Sequence, residues 1–438
     1  MTNIEQIYSA LNNLRQQPID GYHCLRIGIN QISLLGWLKA QTGNKKFYWR
    51  DKSGDFTLAM LGVSHQISTL EAPNRLTHAN YFGGVSFNPK DKQWPGFSSS
   101  QFIVPRIEIR CNQGQYSIAC HINARDHHLN TEIDACLAIL DELKPEVEIH
   151  SAPLNFLIEQ TTHSPDYPLW QCMVNSVLAN IKQGSLQKVV LSRQTTLKLE
   201  QTSDSQGDKS IEHSCWDLLG QWQHLTPNCF QFALQFEPDT IFIGSSPEKL
   251  FRRIGNTLHT EAMAGTTPIG NTQKEHEQFY RQLINDNKLG HENELVANYI
   301  TEILEQVCRQ YSQSELNIVK LAHVQHLNQT FSGQLKTRVT DHQLLNLLHP
   351  TPAVAGVSKA ESLKIISQLE PYIRGWYSGA VGYCSPEHCV FSVAIRSALI
   401  QNNNIKVFAG AGIVEGSTAE LEWHELNNKV STILSLLA

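Results

Sequence analysis

The sequence predicts an α+β fold built on antiparallel sheets. Strand-like runs come in consecutive groups, and helical stretches fall between the groups instead of alternating with single strands. Composition permits such a fold. The 438 residues are 41% hydrophobic and 17% charged, a globular balance with enough chain for a sizeable core and, by length, two or three domains.

The elements can be justified in order. Residues 1 to about 150 are strand-rich: "FTLAMLGV", "QFIVPRIEIR" and "QYSIACHIN" are apolar or alternating runs divided by Gly, Pro and Asn turns. In "TTHSPDYPLW" (161–170) a Ser/Asp helix start precedes the helical pattern of "QCMVNSVLANIKQG", which Gly184 closes. The strand "LQKVVLSRQTTL" (186–197) follows, then a polar insertion, "QTSDSQGDKSIEH" (201–213), expected as a mobile surface loop. Next come the strand candidates "CFQFALQFE", "TIFIGSSPEKL" and "TLHTEAMAG", and helices over 273–288 and about 291–311. "GWYSGAVGYCS", "CVFSVAIRSALI" and "NIKVFAGAGIV" read as successive strands before a final helix over about 419–437.

Charge and cysteine usage exclude several function classes. The net charge is −6 with no Lys/Arg run of the kind that tracks phosphates, which argues against nucleic acid. A small anionic substrate would then need locally placed cations or a metal. No stretch approaches a membrane span, and the polar start lacks a signal-peptide pattern. The ten cysteines form no CxxC pair, so they read as reduced thiols of a cytoplasmic protein. Cys384 and Cys389 are closest, but four intervening residues make a weak metal pattern.

Some residues stand out against these elements. Period-two alternation puts Val189 and Leu191 on one strand face, and Lys188, Val190 and Ser192 on the other. A lone strand lysine ordinarily guards a solvent-facing strand. Glu292 lies three and four residues before Leu295 and Val296 and shares their inward helix face, where the helix dipole alone would also favour an acid. In the last helix Glu422, Glu425 and Lys429 form a stripe beside the apolar Leu426, Val430, Ile433 and Leu437; a surface salt-bridge row is the plain reading. Two carboxylates on separate helices, both turned inward, are however what a hard cation such as Mg²⁺ needs. Glu248 sits just beyond a Ser-Pro turn. Arg396, inside an apolar strand, is a fair carboxylate clamp. "FAGAGIVEGS" (408–417) fails as a dinucleotide loop on spacing and context, yet glycines at a strand end let backbone N–H groups approach a carboxylate.

Together, residues from about 165 to 438 resemble the chorismate-utilising enzymes, which include anthranilate, aminodeoxychorismate, salicylate and isochorismate synthases. The matching stretches are "KVVLSR", "GSSPE", "TEAMAGT", "HENELV", "VQHL", "HPTPAVAG", "RGWYSGAVGY", "IRSA" and "AGAGIVEGSTAELEWHELNNK", in the family's order. The resemblance implies two facing antiparallel sheets wrapped by helices, with the site between them in a chorismate-binding catalytic domain (165–438). Residues 1–150 resemble the family only loosely, are expected to pack into the same fold, and fit the longer N-terminal portion of menaquinone-type isochorismate synthases.

Within the family, ammonia-using members typically carry glutamine at the Lys188 position, and aminodeoxychorismate synthases carry a lysine at the Ala264 position. Ala353 also resembles the water-using branch. The resemblance therefore implies isochorismate synthase, an isomerase that needs no glutaminase subunit. Salicylate synthase, a siderophore-pathway isochorismate synthase or a silent chorismate-binding subunit are the alternatives. It further implies Lys188 as the base for water and Glu248 as the acid for the departing 4-hydroxyl. Glu292 and Glu425 would bind Mg²⁺, supported by Glu422, and the backbone at Gly265–Thr266 would meet the ring carboxylate. Tyr377, Arg396 and the amide of Gly412 would hold the enolpyruvyl carboxylate, with His326 near the ring and Lys429 a cationic neighbour. Glu294 has no assignment and is expected to be solvated.

Overall fold

The computed structural model describes the chain except residues 1, 18–19, 44, 72–75, 77, 153, 155, 201–210, 271, 321–323 and 438. The first part holds α1 (Thr2–Leu14), β1 (Tyr22–Ile29), α2 (Leu34–Ala40), β2 (Lys46–Arg50), β3 (Phe56–Leu61), β4 (His65–Ile67), β5 (Tyr81–Val85), β6 (Ser100–Val104), β7 (Ile107–Asn112), β8 (Gln115–Asn123) and α3 (Leu129–Glu142). The middle holds β9 (Ile158–Ser164), α4 (Tyr167–Lys182), β10 (Lys188–Leu199), α5 (Ile211–Leu225), β11 (Phe230–Glu237), β12 (Thr240–Ser246), β13 (Lys249–Ile254), β14 (Thr257–Pro268), α6 (Gln273–Asn285) and α7 (Asn287–Val307). The last part holds β15 (Cys308–Gln313), β16 (Asn317–Lys320), β17 (Val324–Leu335), α8 (Asp341–Leu348), β18 (Gly356–Val357), α9 (Lys359–Leu369), β19 (Ala380–Cys384), β20 (His388–Val393), β21 (Ser397–Gln401), β22 (Asn404–Ile413) and α10 (Ala419–Leu437).

These strands form two antiparallel sheets. One runs β1-β8-β7-β3-β2-β11-β12-β21-β22-β10-β18, with β9 also on β10; the other runs β15-β17-β14-β13-β20-β19-β5-β6-β4, with β16 on β17. Strands from before residue 150 therefore enter both sheets. An aromatic core fills the space between them, joining Phe47, Trp49, Phe232 and Phe242 of the first sheet to Phe82 and Tyr383 of the second. Outside the first sheet lies the core that receives Leu11, Trp37, Trp170, Trp216 and Leu426 from its helices. Outside the second, α7 and α8 contribute Ile300, Leu304 and Leu345.

Several sequence expectations need correction at the sheet crossings. "CVFSVAIRSALI" is not one strand: β20 belongs to the second sheet and β21 to the first, and Arg396 sits in the break with φ +50°. "TIFIGSSPEKL" likewise divides into β12 and β13 at Pro247–Glu248, and "QFIVPRIEIR" into β6 and β7 at Pro105. Proline lacks the N–H that a continuing ladder needs. In "GWYSGAVGYCS" only Ala380–Cys384 is a strand, and Tyr377 lies in the turn before it. Helix α7 begins at Asn287 because Asp286 caps it, accepting from Lys288 N and Leu289 N. It stops at Val307, where β15 leaves to pair with β17. The expected loop at 201–213 lies outside the described residues up to 210, and α5 begins at Ile211.

One buried ion pair staples β10 to its surroundings. Arg374 grips Glu370 through Nε and Nη2 and donates to the carbonyls of Val354 (2.8 Å) and Val190 (2.7 Å). Glu370 in turn accepts from the amide (2.7 Å) and hydroxyl (2.8 Å) of Ser192. Arg374→Met leaves a buried carboxylate without its cation, so urea unfolding should show a loss of about 3–5 kcal/mol.

Candidate active site

The two neighbouring crossings build one wall of a cleft between the sheets. Val393 N donates to Glu248 O (3.1 Å), and Ser245 N donates to Arg396 O (2.9 Å). These bonds hold both crossings side by side where the ladders part. Both side chains line the cleft. Glu248 is 6% exposed, and its carboxyl is pushed up to about 8 by burial first and by the charge of Glu261 second. Near neutrality it therefore holds its proton. Arg396 donates to Lys429 O (2.9 Å), and burial lowers its guanidinium below the usual range.

Lys188 is wholly buried, so the solvent-facing reading of this strand lysine fails. Its Nζ donates to Glu292 Oε1 at 2.8 Å, joining β10 to α7. Burial acts to raise the Glu292 carboxyl, but the ammonium groups of Lys188, Lys429 and Lys288 outweigh it and bring it down. Gly412 makes room for this pair: a Cβ there would lie 2.6 Å from Glu292 Oε1 and 3.0 Å from Lys188 Cε. The glycine beside Tyr377 is Gly410, where a Cβ would sit 3.0 Å from the phenol oxygen. Tyr377 stacks on Phe408 with centroids 5.0 Å apart.

Helix α10 brings two more carboxylates. Glu425 lines the cleft and is paired with Lys429, whose Nζ also donates to Gly410 O (2.9 Å). Glu422 is buried and receives Lys288 Nζ at 2.6 Å; burial and then the Glu425 charge push its carboxyl up. Each of the three acids therefore carries its own lysine. Their oxygens are the donor type that a hard divalent cation such as Mg²⁺ takes, but among the described residues the three do not converge as a ready-made metal group, and a cation would take over the role of the lysines. Glu294 points away and is exposed.

The remaining wall comes from β14 and β17. Their register slips between Ala264 and Thr266, and Gly265 takes φ +76° at this bulge. A Cβ on Gly265 would meet Leu289 O at 2.8 Å, so glycine is required on both counts. Beyond the bulge Thr266 Oγ1 lies 2.9 Å from His326 Nδ1. Burial first, then Arg396 and Lys429, push His326 down to about 3, so the ring is neutral. Among the described residues its Nε2 is buried without a hydrogen-bond partner, and the residue belongs to the cleft lining.

A scan against family models matches residues 71–438 to the family described as "Chorismate binding enzyme". This chain belongs to that family. Isochorismate synthase MenF of Haemophilus influenzae is 30% identical over 442 residues, covering 99% of this chain and 96% of the relative. The MenF of Escherichia coli is 31% identical, with 92% and 90% covered. The solved structure titled as the menaquinone-specific isochorismate synthase MenF from Escherichia coli superposes with TM-score 0.88 at 28% identity, covering 100% of this chain and 99% of that one. Anthranilate synthase component I from Streptococcus pneumoniae, at 18% identity and TM-score 0.66, shares the fold.

As a chorismate-binding enzyme, the chain matches the family well before residue 165, and its N-terminal part reaches the site. Lys52, in the turn between β2 and β3, donates to Pro247 O (2.7 Å) and meets Glu261 Oε1 at 3.3 Å. Sequence reading missed three contributors. Glu261, an acid inside the quoted "TEAMAGT", raises Glu248. Asn293, inside "HENELV", donates to the carbonyls of Ala262, Ala264 and Leu327 and so fixes the rotation of α7. Lys52 lies in an ordinary polar turn and gave no signal. Asp341, Cys384 and Cys389 also converge, but Arg253 already grips both Asp341 oxygens. Among the described residues no helix is long and apolar enough to cross a membrane.

The Glu248 shift has a consequence for stability. Its folded-state value lies above the unfolded one, so its contribution is complete below about pH 4.5 and declines as pH rises through about 8. Melting curves of Glu248→Gln and wild type should lie closest below about pH 4.5 and diverge by pH 9, with the variant melting higher.

Proposed function

We propose that this chain is an isochorismate synthase of the menaquinone-specific type, converting chorismate to isochorismate by water addition at C2 and loss of the C4 hydroxyl. The observation that carries this reading is a neutral acid, Glu248, lining the cleft, and a buried amine, Lys188, hydrogen-bonded to Glu292 of the same cleft, in a chain similar to isochorismate synthases along almost its whole length.

In this reading Lys188 is the base that takes a proton from water as the oxygen attacks C2; the ammonium it presents to Glu292 must first shed its proton. The ring double bonds shift, the C4–O bond breaks, and Glu248 gives its proton to the departing hydroxyl, which leaves as water. One water enters and one leaves, so substrate and product are isomers. Return of the proton from Lys188 to Glu248 resets the pair. General acid and general base each account for a factor of about 10²–10⁴.

Binding is assigned to the same walls. Arg396 and Tyr377 hold the enolpyruvyl carboxylate beside Gly410, the glycine of β22 that lines the cleft, and Gly265–Thr266 meet the ring carboxylate. His326 offers Nε2 to the ring, and Lys429 adds positive charge. Glu292 and Glu425, with Glu422 behind them, would hold Mg²⁺, whose charge would neutralise the ring carboxylate. The enzyme would act in the cytoplasm without a glutaminase subunit.

Chromatography of purified protein with chorismate and Mg²⁺, lacking ammonium, should show isochorismate approaching equilibrium. Salicylate with pyruvate would make it the lyase instead, and a strict need for ammonium would overturn the role of Lys188. Lys188→Ala and Glu248→Gln should each lower kcat at least a hundredfold. Chelation should abolish turnover and added Mg²⁺ restore it; full activity under chelation refutes the metal assignment.

A further inference from the structure

A second cavity adjoins the cleft across Arg396. It is walled by Trp222, Lys320 and Thr432, and shares Pro247, Arg396 and Lys429 with the cleft. Its volume is about 310 Å³, whereas the cleft leaves only about 80 Å³ free. Sites for small molecules run to about 300–1,000 Å³. Of the two, only this second cavity therefore has room for a whole ring diacid as the side chains stand.

Its lining has the charge to attract one. Lys320, Arg396 and Lys429 contribute cations, and among the described residues no Asp or Glu lines it. Glu425 offsets Lys429. Among the described residues neither Arg396 nor Lys320 has an ion-pair partner: Arg396 donates to the Lys429 carbonyl, and Lys320 Nζ lies 3.0 Å from His276 Nε2. In a chain of net charge −6 this is a local reversal of sign beside the cleft.

We propose that this cavity is a capture site for the dianionic substrate, from which it passes inward along Arg396. Because Arg396 borders both spaces, a carboxylate can cross without losing its cation. This rests on the functional reading above, and its substrate, chorismate, is the probe.

Lys320→Glu should lower kcat/KM for chorismate at least tenfold, with the loss in KM rather than kcat. It should also flatten the fall of kcat/KM with added salt. Thr432→Trp fills the cavity without changing charge and should lower kcat/KM too. If both variants melt as wild type does and keep its kcat/KM and salt dependence, the proposal is overturned. If wild type does not convert chorismate, the functional reading falls first, and quenching of Trp222 fluorescence by chorismate then decides. Weaker affinity in Lys320→Glu than in wild type supports capture; equal affinity overturns it.

Discussion

A chain that passes from one sheet to another must leave both hydrogen-bond ladders at the crossing, and here two crossings lie side by side. The bonds from Val393 N to Glu248 O and from Ser245 N to Arg396 O replace the ladder at that point. Backbone groups buried between sheets need such partners. The arrangement sets an acid and a guanidinium at the mouth of one cleft, and the aromatic core behind the crossings keeps the sheets apart. Cleft, acid and clamp all follow from where the strands change sheets.

Charge compensation is the second organising constraint. Three carboxylates from α7 and α10 would repel one another if alone, and Lys188, Lys288 and Lys429 each meet one of them. Glu248 stands outside this scheme. Its carboxyl has no lysine in direct contact among the described residues, and burial with the neighbouring Glu261 keeps it protonated. One cleft therefore holds a carboxyl that its lysines bring down, Glu292, beside one that is pushed up, Glu248.

The sequence carried much of this. Apolar periodicity marked α10 and the inward face of α7, and quoted stretches around Glu248, Gly265 and Arg396 lie where the cleft forms. What it could not show is the change of sheet within an apolar run. "CVFSVAIRSALI" is apolar on both sides of Arg396 because each half is buried in its own sheet, so periodicity has nothing to interrupt. Nor could spacing reveal that Lys188 meets Glu292, 104 residues away. The strand β9 escaped notice because its residues are polar and mostly exposed.

The bond from Lys52 to Pro247 O has a bearing on modularity. Lys52 precedes residue 71, where the match to the family begins. The carbonyl it holds is that of the residue just before Glu248, so part of the acid's support comes from outside the segment shared across the family. A transplanted catalytic segment would arrive without this tether, and the acid's crossing would depend on whatever the new host placed beneath it. The N-terminal part is in this sense a fitted foundation, and it is not interchangeable with another's.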